Sequence, residues 1–443
     1  MTYKQKYDDL IGKYDLLAKQ YENLKNQYIT VLDLAKKNSD AYEFCLSSLE
    51  KEVEQLRKTK GYKMNLDEIR NEIDTVDDEL TKLFYKRMKL AAEVAEYKKE
   101  NAMGVYDPAR ERKKLADISA KLPDELKEYG FSLYSLIFEL SRSRQNRLLG
   151  THSEICDEIE NAIENTPQLL PNAPLVACQG VEGAYSQLAC DKVFTNPNIF
   201  YFKNFEAVFT AIEKGLCRYG VIPLENSTAG SVNKVYDLMM KHRFSIIKSV
   251  RIKIDHNLLA LPGTKLSDVK EIYSHEQAIS QCGAYLQSLT GVKVIACENT
   301  AEAARMVAES GRHDIAAISS FSCVKLYGLE CLASSIQDKG NNYTRFICIS
   351  KNLEIYPGAN RTSLMMVLPH TPGSLYKALS RFYALGINLN KLESRPLPDR
   401  DFEFMFYFDL DVPVYSPNFI QLMGEIQDIC EQFEYLGSYS EVI

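Results

Sequence analysis

Residues 220–232 read GVIPLENSTAGSV, an apolar run that ends in a carboxylate, an amide, hydroxyls and a glycine. A buried strand of this kind delivers Glu225 and Asn226 to a sheet edge, Ser227 and Thr228 add donors, and Gly230 lets the backbone approach a ligand or start a helix. That is the make-up of a small-molecule site, although a capped strand-to-helix turn has the same one. Three more segments offer polar groups beside apolar runs: QGVEGAYS from Gln179 to Ser186, YSHEQAISQC from Tyr273 to Cys282, and DKGNNYTRF from Asp338 to Phe346. Singly, a short glycine loop is a turn and His275 is a hydrogen-bonded structural histidine. Loops from separate strands of a two-lobed fold, however, converge on one cleft.

A second set is cationic. Arg70, Arg87, Lys98 and Arg110 lie on amphipathic stretches, with Asp107 and Glu111 beside the last. On a helix, Arg87 and Lys98 stand roughly 20° from one face and about 16 Å apart along the axis, so both side chains can close on one anion. Arg70 is about 25 Å from Arg87 and turned by roughly 100°, so it reaches the same ligand only from a partner chain. Any one of these cations alone also suits a solvated helix face.

The elements that must position these groups fall into two halves. Residues 3–56 follow a heptad, with Leu10, Leu17, Leu24 and Val31 in one row and Tyr7, Tyr14, Tyr21 and Tyr28 leading the other. This predicts a coiled-coil extension over 1–61 that joins chains, the alternative being a helix folded on its own protein. Gly61 breaks the pattern, and Asn65 with Glu68 makes a capping-box start for a helix to about Glu100. Pro108 opens the next helix, and a third runs from about Glu125 to Leu149. The stretch 151–172, whose end overlaps the Pro- and Asn-rich NTPQLLPNAP (165–174), reads as a linker. Beyond it, strand-like runs at Leu175–Cys178, Tyr219–Leu224, Glu271–Tyr273, Val292–Cys297 and Ile315–Ile318 alternate with helical stretches. From Thr362 onward the order is strand, helix, strand, strand, helix, strand, a ferredoxin-like α+β order.

Composition narrows the function. At 443 residues the chain predicts about two to four domains, and its 45% apolar content is globular. A net charge of −7 with dispersed basic residues argues against nucleic acid or an anionic membrane as partner. The polar N-terminus and the lack of a membrane-length apolar run predict a cytoplasmic protein. Eleven cysteines without a CxxC pair and six histidines without HExxH predict reduced thiols and no structural metal.

Three resemblances then attach to these residues. Arg70, Arg87, Lys98, Asp107, Arg110 and Glu111, followed by Ser141 and Gln145, resemble in identity and spacing the site of the all-helical chorismate mutases, over 64–150. The resemblance implies that Arg87 and the partner subunit's Arg70 hold the carboxylates of chorismate, Lys98 and Gln145 meet the breaking ether oxygen, and Glu111 with the Asp107 backbone takes the ring hydroxyl. Arg110 and Ser141 complete the shell. The four segments from QGVEGAYS to DKGNNYTRF resemble prephenate dehydratase over 173–350, an α/β two-lobed periplasmic-binding-like fold. That implies Thr344 nearest the leaving hydroxyl of prephenate, Glu225, Asn226, Ser274 and Gln281 as donors or acid partners, and Arg345 as a carboxylate clamp or a support for its loop. PGSLYKAL (Pro372 to Leu379) and ESRP (Glu393 to Pro396) are similar to the ACT regulatory domain, over 360–443. They imply phenylalanine binding at Gly373, Ser374, Leu375, Glu393 and Ser394 between paired domains. Together the resemblances imply a cofactor-free bifunctional enzyme of phenylalanine biosynthesis, a homodimer or higher homo-oligomer, feedback-regulated by phenylalanine. Its rivals are a chorismate mutase joined to an arogenate dehydratase, and a non-catalytic amino-acid-responsive binding protein.

Overall fold

A computed structural model describes residues 65–101, 103–149, 154–398 and 400–443, with isolated helical positions at Lys19, Glu22, Asn23, Asn26 and Gln27. The heptad segment otherwise lies outside the described residues. Backbone packing divides the chain into residues 1–90 and residues 91–443.

Helix α1 (Leu66–Glu100) opens with the reciprocal bonds of a capping box: Glu68 N donates to Asn65 Oδ1 at 2.9 Å and Asn65 N to Glu68 Oε2 at 3.0 Å. Helix α2 (Pro108–Ser119) has Asp107 as its cap and proline at its first turn. Helix α3 (Lys127–Leu149) follows a single 3₁₀ turn at Asp124–Leu126. Among the described residues no helix is long and apolar enough to cross a membrane.

The stretch 151–172 is not a bare linker. It holds helix α4 (Glu154–Asn165), whose Cys156, Ile159 and Ala162 are buried in one cluster with Leu364, Phe382 and Phe408 of the C-terminal domain. Apolar residues at helical spacing give α4 a face that must be covered, and the C-terminal domain covers it.

Two sheets make the α/β half. One lobe carries β1 (Leu175–Gln179), β2 (Asn198–Phe202), β3 (Tyr219–Asn226), β4 (Gly230–Ser231), β5 (Ser245–Lys253) and β11 (Tyr343–Ser350). The other is a five-stranded sheet in the order β10-β6-β9-β7-β8, from β6 (Asn257–Ala260), β7 (Glu271–His275), β8 (Lys293–Cys297), β9 (Ile315–Ser319) and β10 (Glu330–Ala333). The five strand runs read from the sequence fall on β1, β3, β7, β8 and β9. The chain crosses between lobes twice, from β5 into β6 and from β10 into β11, and the two crossings are tied by His256 N donating to Gln337 Oε1 at 2.9 Å.

The C-terminal domain runs β12 (Arg361–Val367), a helix Ser374–Ala384, β13 (Asn388–Pro396), β14 (Phe404–Asp411), a helix Pro417–Ile426 and β15 (Gln432–Val442). Its strands lie in the order β13-β14-β12-β15 and continue into the first lobe as β5-β11-β3-β1-β2. The join is β15, antiparallel to β12 over most of its length and parallel to β5 at Ser440–Val442. Apolar side chains follow the join: Ile222, Leu224 and Tyr236 of the lobe share one core with Met365, Tyr407 and Tyr439. Each large side chain so buried contributes about 1.5–3 kcal/mol relative to exposure.

Gly437 makes the join possible. Its φ is 133°, and a Cβ there would stand 2.4 Å from the carbonyl oxygen of Ile246 on β5. Gly437→Ala therefore meets backbone, which cannot turn aside as a side chain would. We expect it to lower stability by about 3 kcal/mol, read as a fall in the thermal midpoint. An unchanged midpoint would mean that the two strands do not approach as described.

Candidate functional site

Two polar clusters match the two residue sets. In the helical region, Asp107 accepts from Arg110 N at 3.0 Å, and the Asp107 carbonyl accepts from Glu111 N at 3.1 Å. Glu111 pairs with Arg142 of α3, whose guanidinium also reaches Glu139 at 3.5 Å and sits 5.2 Å from the centre of the Tyr106 ring. Lys98 donates to the Val105 carbonyl. Burial lowers its pKa; the charges of Asp107 and Glu111 oppose that and Arg110 adds to it. On α3, Ser141 Oγ donates to the Ile137 carbonyl at 2.7 Å and Gln145 Nε2 to the Ser141 carbonyl at 3.2 Å. Gln145 Oε1 is buried without a hydrogen bond among the described residues. Within residues 65–90, Arg70 lies 3.6 Å from Asp67 and is exposed, and Arg87 belongs to the same helix. Arg142 escaped the sequence reading, although its place three residues before Gln145 makes the two neighbours on the helix surface.

The second cluster stands at the crossings between the lobes. Strands β3 and β11 pair antiparallel with Asn226 opposite Thr344 and Glu225 opposite Arg345. Successive residues of a strand point to opposite faces, so each neighbouring pair is split between two environments.

On one face, Asn226 Oδ1 closes the ENSTAG loop by accepting from Thr228 N at 3.0 Å, Thr228 Oγ1 at 2.7 Å and Ala229 N at 2.9 Å. Its Nδ2 donates to Asn342 Oδ1 at 2.8 Å and to Thr344 Oγ1 at 2.9 Å. The Thr344 oxygen is thus an acceptor, which leaves its own proton to donate. Gln281 Nε2 donates to Thr228 Oγ1 at 2.8 Å, while Gln281 Oε1 faces both Asn342 Nδ2 at 3.0 Å and His256 Nε2 at 2.9 Å. An amide oxygen only accepts, so His256 carries its proton on Nε2. Burial lowers the His256 pKa, against the Gln281 bond and the Asp255 charge, which keeps the ring neutral near pH 7. Tyr185, from QGVEGAYS, sets its ring edge to face with His256 at 6.2 Å. That loop abuts the second lobe: Gly183 has φ 88°, and a Cβ on it would stand 2.9 Å from Cys323 Sγ.

On the other face lies a row of charges. Arg345 Nε donates to Glu225 Oε1 at 2.7 Å, and its Nη2 is 2.5 Å from Asp409 Oδ2. Lys391 Nζ donates to Glu225 Oε2 at 2.6 Å and to Ser231 Oγ at 2.9 Å. Ser231 Oγ donates to Glu393 Oε2 at 2.5 Å, and Arg395 grips both oxygens of Asp237. Burial alone would raise the Glu225 pKa; Arg345 and Lys391 outweigh it and hold the carboxyl below the usual range.

These contacts place the remaining dehydratase residues apart from Thr344. Glu225 and Arg345 are on the opposite strand face from Thr344, because alternation sends them there. Ser274 is fully buried and gives its hydrogen to the Ile318 carbonyl at 2.7 Å, so it supports the second lobe from inside. Glu393 accepts a hydrogen bond from Ser231 Oγ and lies 3.6 Å from Lys391 Nζ. Asn226, Gln281 and Thr344 are brought together as the sequence reading grouped them. His256 and Asn342 were missed; Asn342 carried a signal, two residues before Thr344 and so on its face. At the C-terminal domain, Gly373, with φ 85°, precedes the helix that starts at Ser374, Ser374 Oγ donates to the Thr371 carbonyl at 3.0 Å, and Leu375 packs against the core. Ser394 is exposed.

Known proteins share these segments. Residues 69–146 match the family profile of chorismate mutase type II, and residues 176–354 that of prephenate dehydratase. A bifunctional chorismate mutase/prephenate dehydratase of Aquifex aeolicus is 31% identical over 383 residues, 85% of this chain and 98% of the relative. Arogenate dehydratase/prephenate dehydratase 1 of Arabidopsis thaliana, a chloroplastic protein, is 37% identical over 281 residues, 60% of this chain and 71% of that one. Among solved structures, a prephenate dehydratase from Arthrobacter aurescens in complex with L-phenylalanine superposes with a TM-score of 0.55 at 28% identity, over 60% of this chain and 90% of that one.

Proposed function

The chain belongs to the family of bifunctional chorismate mutase/prephenate dehydratases, and from that premise we propose how its residues perform two successive reactions of phenylalanine biosynthesis. It rearranges chorismate to prephenate and converts prephenate to phenylpyruvate. The observation that carries this is the presence of both matched segments in one chain, in register with a bifunctional relative along 85% of its length.

The rearrangement is pericyclic and needs no nucleophile; it needs a folded conformer and positive charge at the breaking ether oxygen. Lys98 and Gln145 supply the donors there. Arg87 holds a carboxylate, Arg110 and Ser141 border the site, and Glu111 with the Asp107 backbone receives the ring hydroxyl, Arg142 fixing the Glu111 carboxylate. Arg70 serves the site of a second subunit, in a homodimer or larger homo-oligomer. In support, Leu66, Ile69, Ile73, Val76, Leu80 and Leu83 repeat at steps of three and four and are all exposed, an apolar seam of the kind a second helix covers.

In the second reaction prephenate takes one proton and loses water and carbon dioxide, aromatisation driving the loss. Thr344 donates toward the leaving hydroxyl. Asn226, by donating to the Thr344 oxygen, polarises that O–H bond and aims it. Gln281, held by Asn342 and His256, fixes the loop on which Asn226 sits.

The C-terminal β-α-β-β-α-β order supports a ferredoxin-like ACT domain over 360–443, with 64–150 as mutase and 173–350 as dehydratase. Phenylalanine binds at the first turn of the helix after Gly373, beside Ser374, Leu375, Glu393 and Ser394, and inhibits. A cytoplasmic location fits the cysteines, all ten of the described ones being free thiols.

One experiment tests the whole reading: proton NMR of the purified protein with chorismate, with and without phenylalanine. Sequential appearance of prephenate and phenylpyruvate without added cofactor, slowed by phenylalanine, is the expected result. Prephenate that accumulates unconverted, with arogenate consumed instead, would favour the arogenate reading that the Arabidopsis relative suggests. Unchanged chorismate would overturn the proposal, and equal rates at a phenylalanine concentration that calorimetry shows to bind would remove the feedback.

A further inference from the structure

We propose that Asp409 and Lys391, both outside the segment matched to prephenate dehydratase, are positioning residues for the dehydration step, acting through the charge row Lys391–Glu225–Arg345–Asp409. The inference deepens the dehydratase reading and rests on it.

The four charges alternate in sign and sum to zero. Glu225 divides its two oxygens between Arg345 and Lys391, and Arg345 divides its guanidinium between Glu225 and Asp409. Arg345 is 5% exposed and Asp409 1%. Asp409 Oδ1 is held in turn by Ser363 Oγ at 2.5 Å and Tyr407 OH at 2.6 Å, which fixes the carboxylate in β14 with its other oxygen in ion-pair contact with Arg345, without hydrogen-bond geometry. With solvent excluded from Arg345 and Asp409, removing one member leaves its partner as an uncompensated charge, and the row rearranges.

Rearrangement reaches the reacting face because the strands are shared. Asn226 follows Glu225 and Thr344 precedes Arg345, so these two residues of the site each share a peptide with a residue of the row. The β3–β11 register also shifts between Arg345 and Phe346. A bulge of this kind weakens the ladder's hold on the backbone, and side-chain pairs then decide how the neighbouring residues are aimed. The row is the set of pairs found there. Near-attack geometry is sensitive to displacements of an ångström, so a shift of the row changes turnover before it changes substrate affinity.

The test compares Asp409→Asn, Lys391→Met and Lys391→Arg with the wild-type chain on prephenate, with chorismate turnover and circular dichroism on the same samples. The amide in Asp409→Asn keeps an acceptor for Ser363 and Tyr407 but presents no charge to Arg345. We expect kcat for prephenate to fall about tenfold in Asp409→Asn and Lys391→Met, with KM within about twofold, chorismate turnover unchanged, and Lys391→Arg recovering most of the rate. A general loss of folding would lower both activities and would not be rescued by arginine. Should Asp409→Asn fail to fold, the two Lys391 variants decide. Unchanged kcat in a folded variant, or a change confined to KM, overturns the proposal. A wild-type chain inactive on prephenate but active on chorismate would overturn the dehydratase reading and this inference together.

Discussion

Lys98→Ala is expected to slow the rearrangement of chorismate, with kcat falling about 10²- to 10³-fold, while turnover of supplied prephenate stays within about twofold of wild type. The size follows from the setting of the ammonium. Burial lowers the Lys98 pKa, a sign that the charge is partly stripped of water, and a partly desolvated cation acts more strongly on developing negative charge than a hydrated one. The sparing of dehydration follows from distance along the chain and from the separate clusters that serve each reaction. The same variant tests the shared site. Mixed with Arg70→Ala protein under conditions that exchange subunits, it is expected to recover part of the lost rate, because under the proposed sharing a hybrid dimer holds one site with both lesions and one with neither. Hybrids that form without any recovery would place Arg70 in its own chain's site or in none.

Thr344→Val is expected to lower phenylpyruvate formation about 10²- to 10³-fold and to leave chorismate turnover intact. Valine keeps the branched shape that β11 packs around, so the lesion is the hydroxyl itself. Its loss also removes one of the two acceptors of Asn226 Nδ2, although the Asn342 bond at 2.8 Å still holds that amide. A rate within about threefold of wild type would mean that the proton reaches the leaving group without Thr344. Circular dichroism and the intact first activity separate either result from misfolding.

Much of this architecture is written locally. The capping box at Asn65 and Glu68, the Pro108 helix start and the five strand runs depend on neighbours in sequence, and the structure has them where the residues ask for them. The sidedness of the site is different in kind. Glu225 and Asn226 are adjacent, and only the pairing with β11 reveals which of them faces Thr344. The strands β2, β5, β6, β10 and β11 lacked a turn pattern strong enough to mark them. His256 gave no sign because its importance comes from Gln281, 25 residues on. The helix in 151–172 was hidden by the prolines after it, although Ile155, Ile159 and Ile163 carry a helical spacing.

The weaving of β15 into the first lobe bears on how the protein is made. Strand β5 receives one of its neighbours from residues 440–442, and Lys248 bonds Ser440 across 192 residues of chain. A contact of that span closes late, after local pairings have formed. While synthesis proceeds, the lobe that carries Asn226 and Thr344 therefore has an open strand edge, a template for pairing with other chains. That edge is sealed by the last strand of the C-terminal domain, so the nascent chain is protected from self-association only once the domain proposed to restrain its activity has been made.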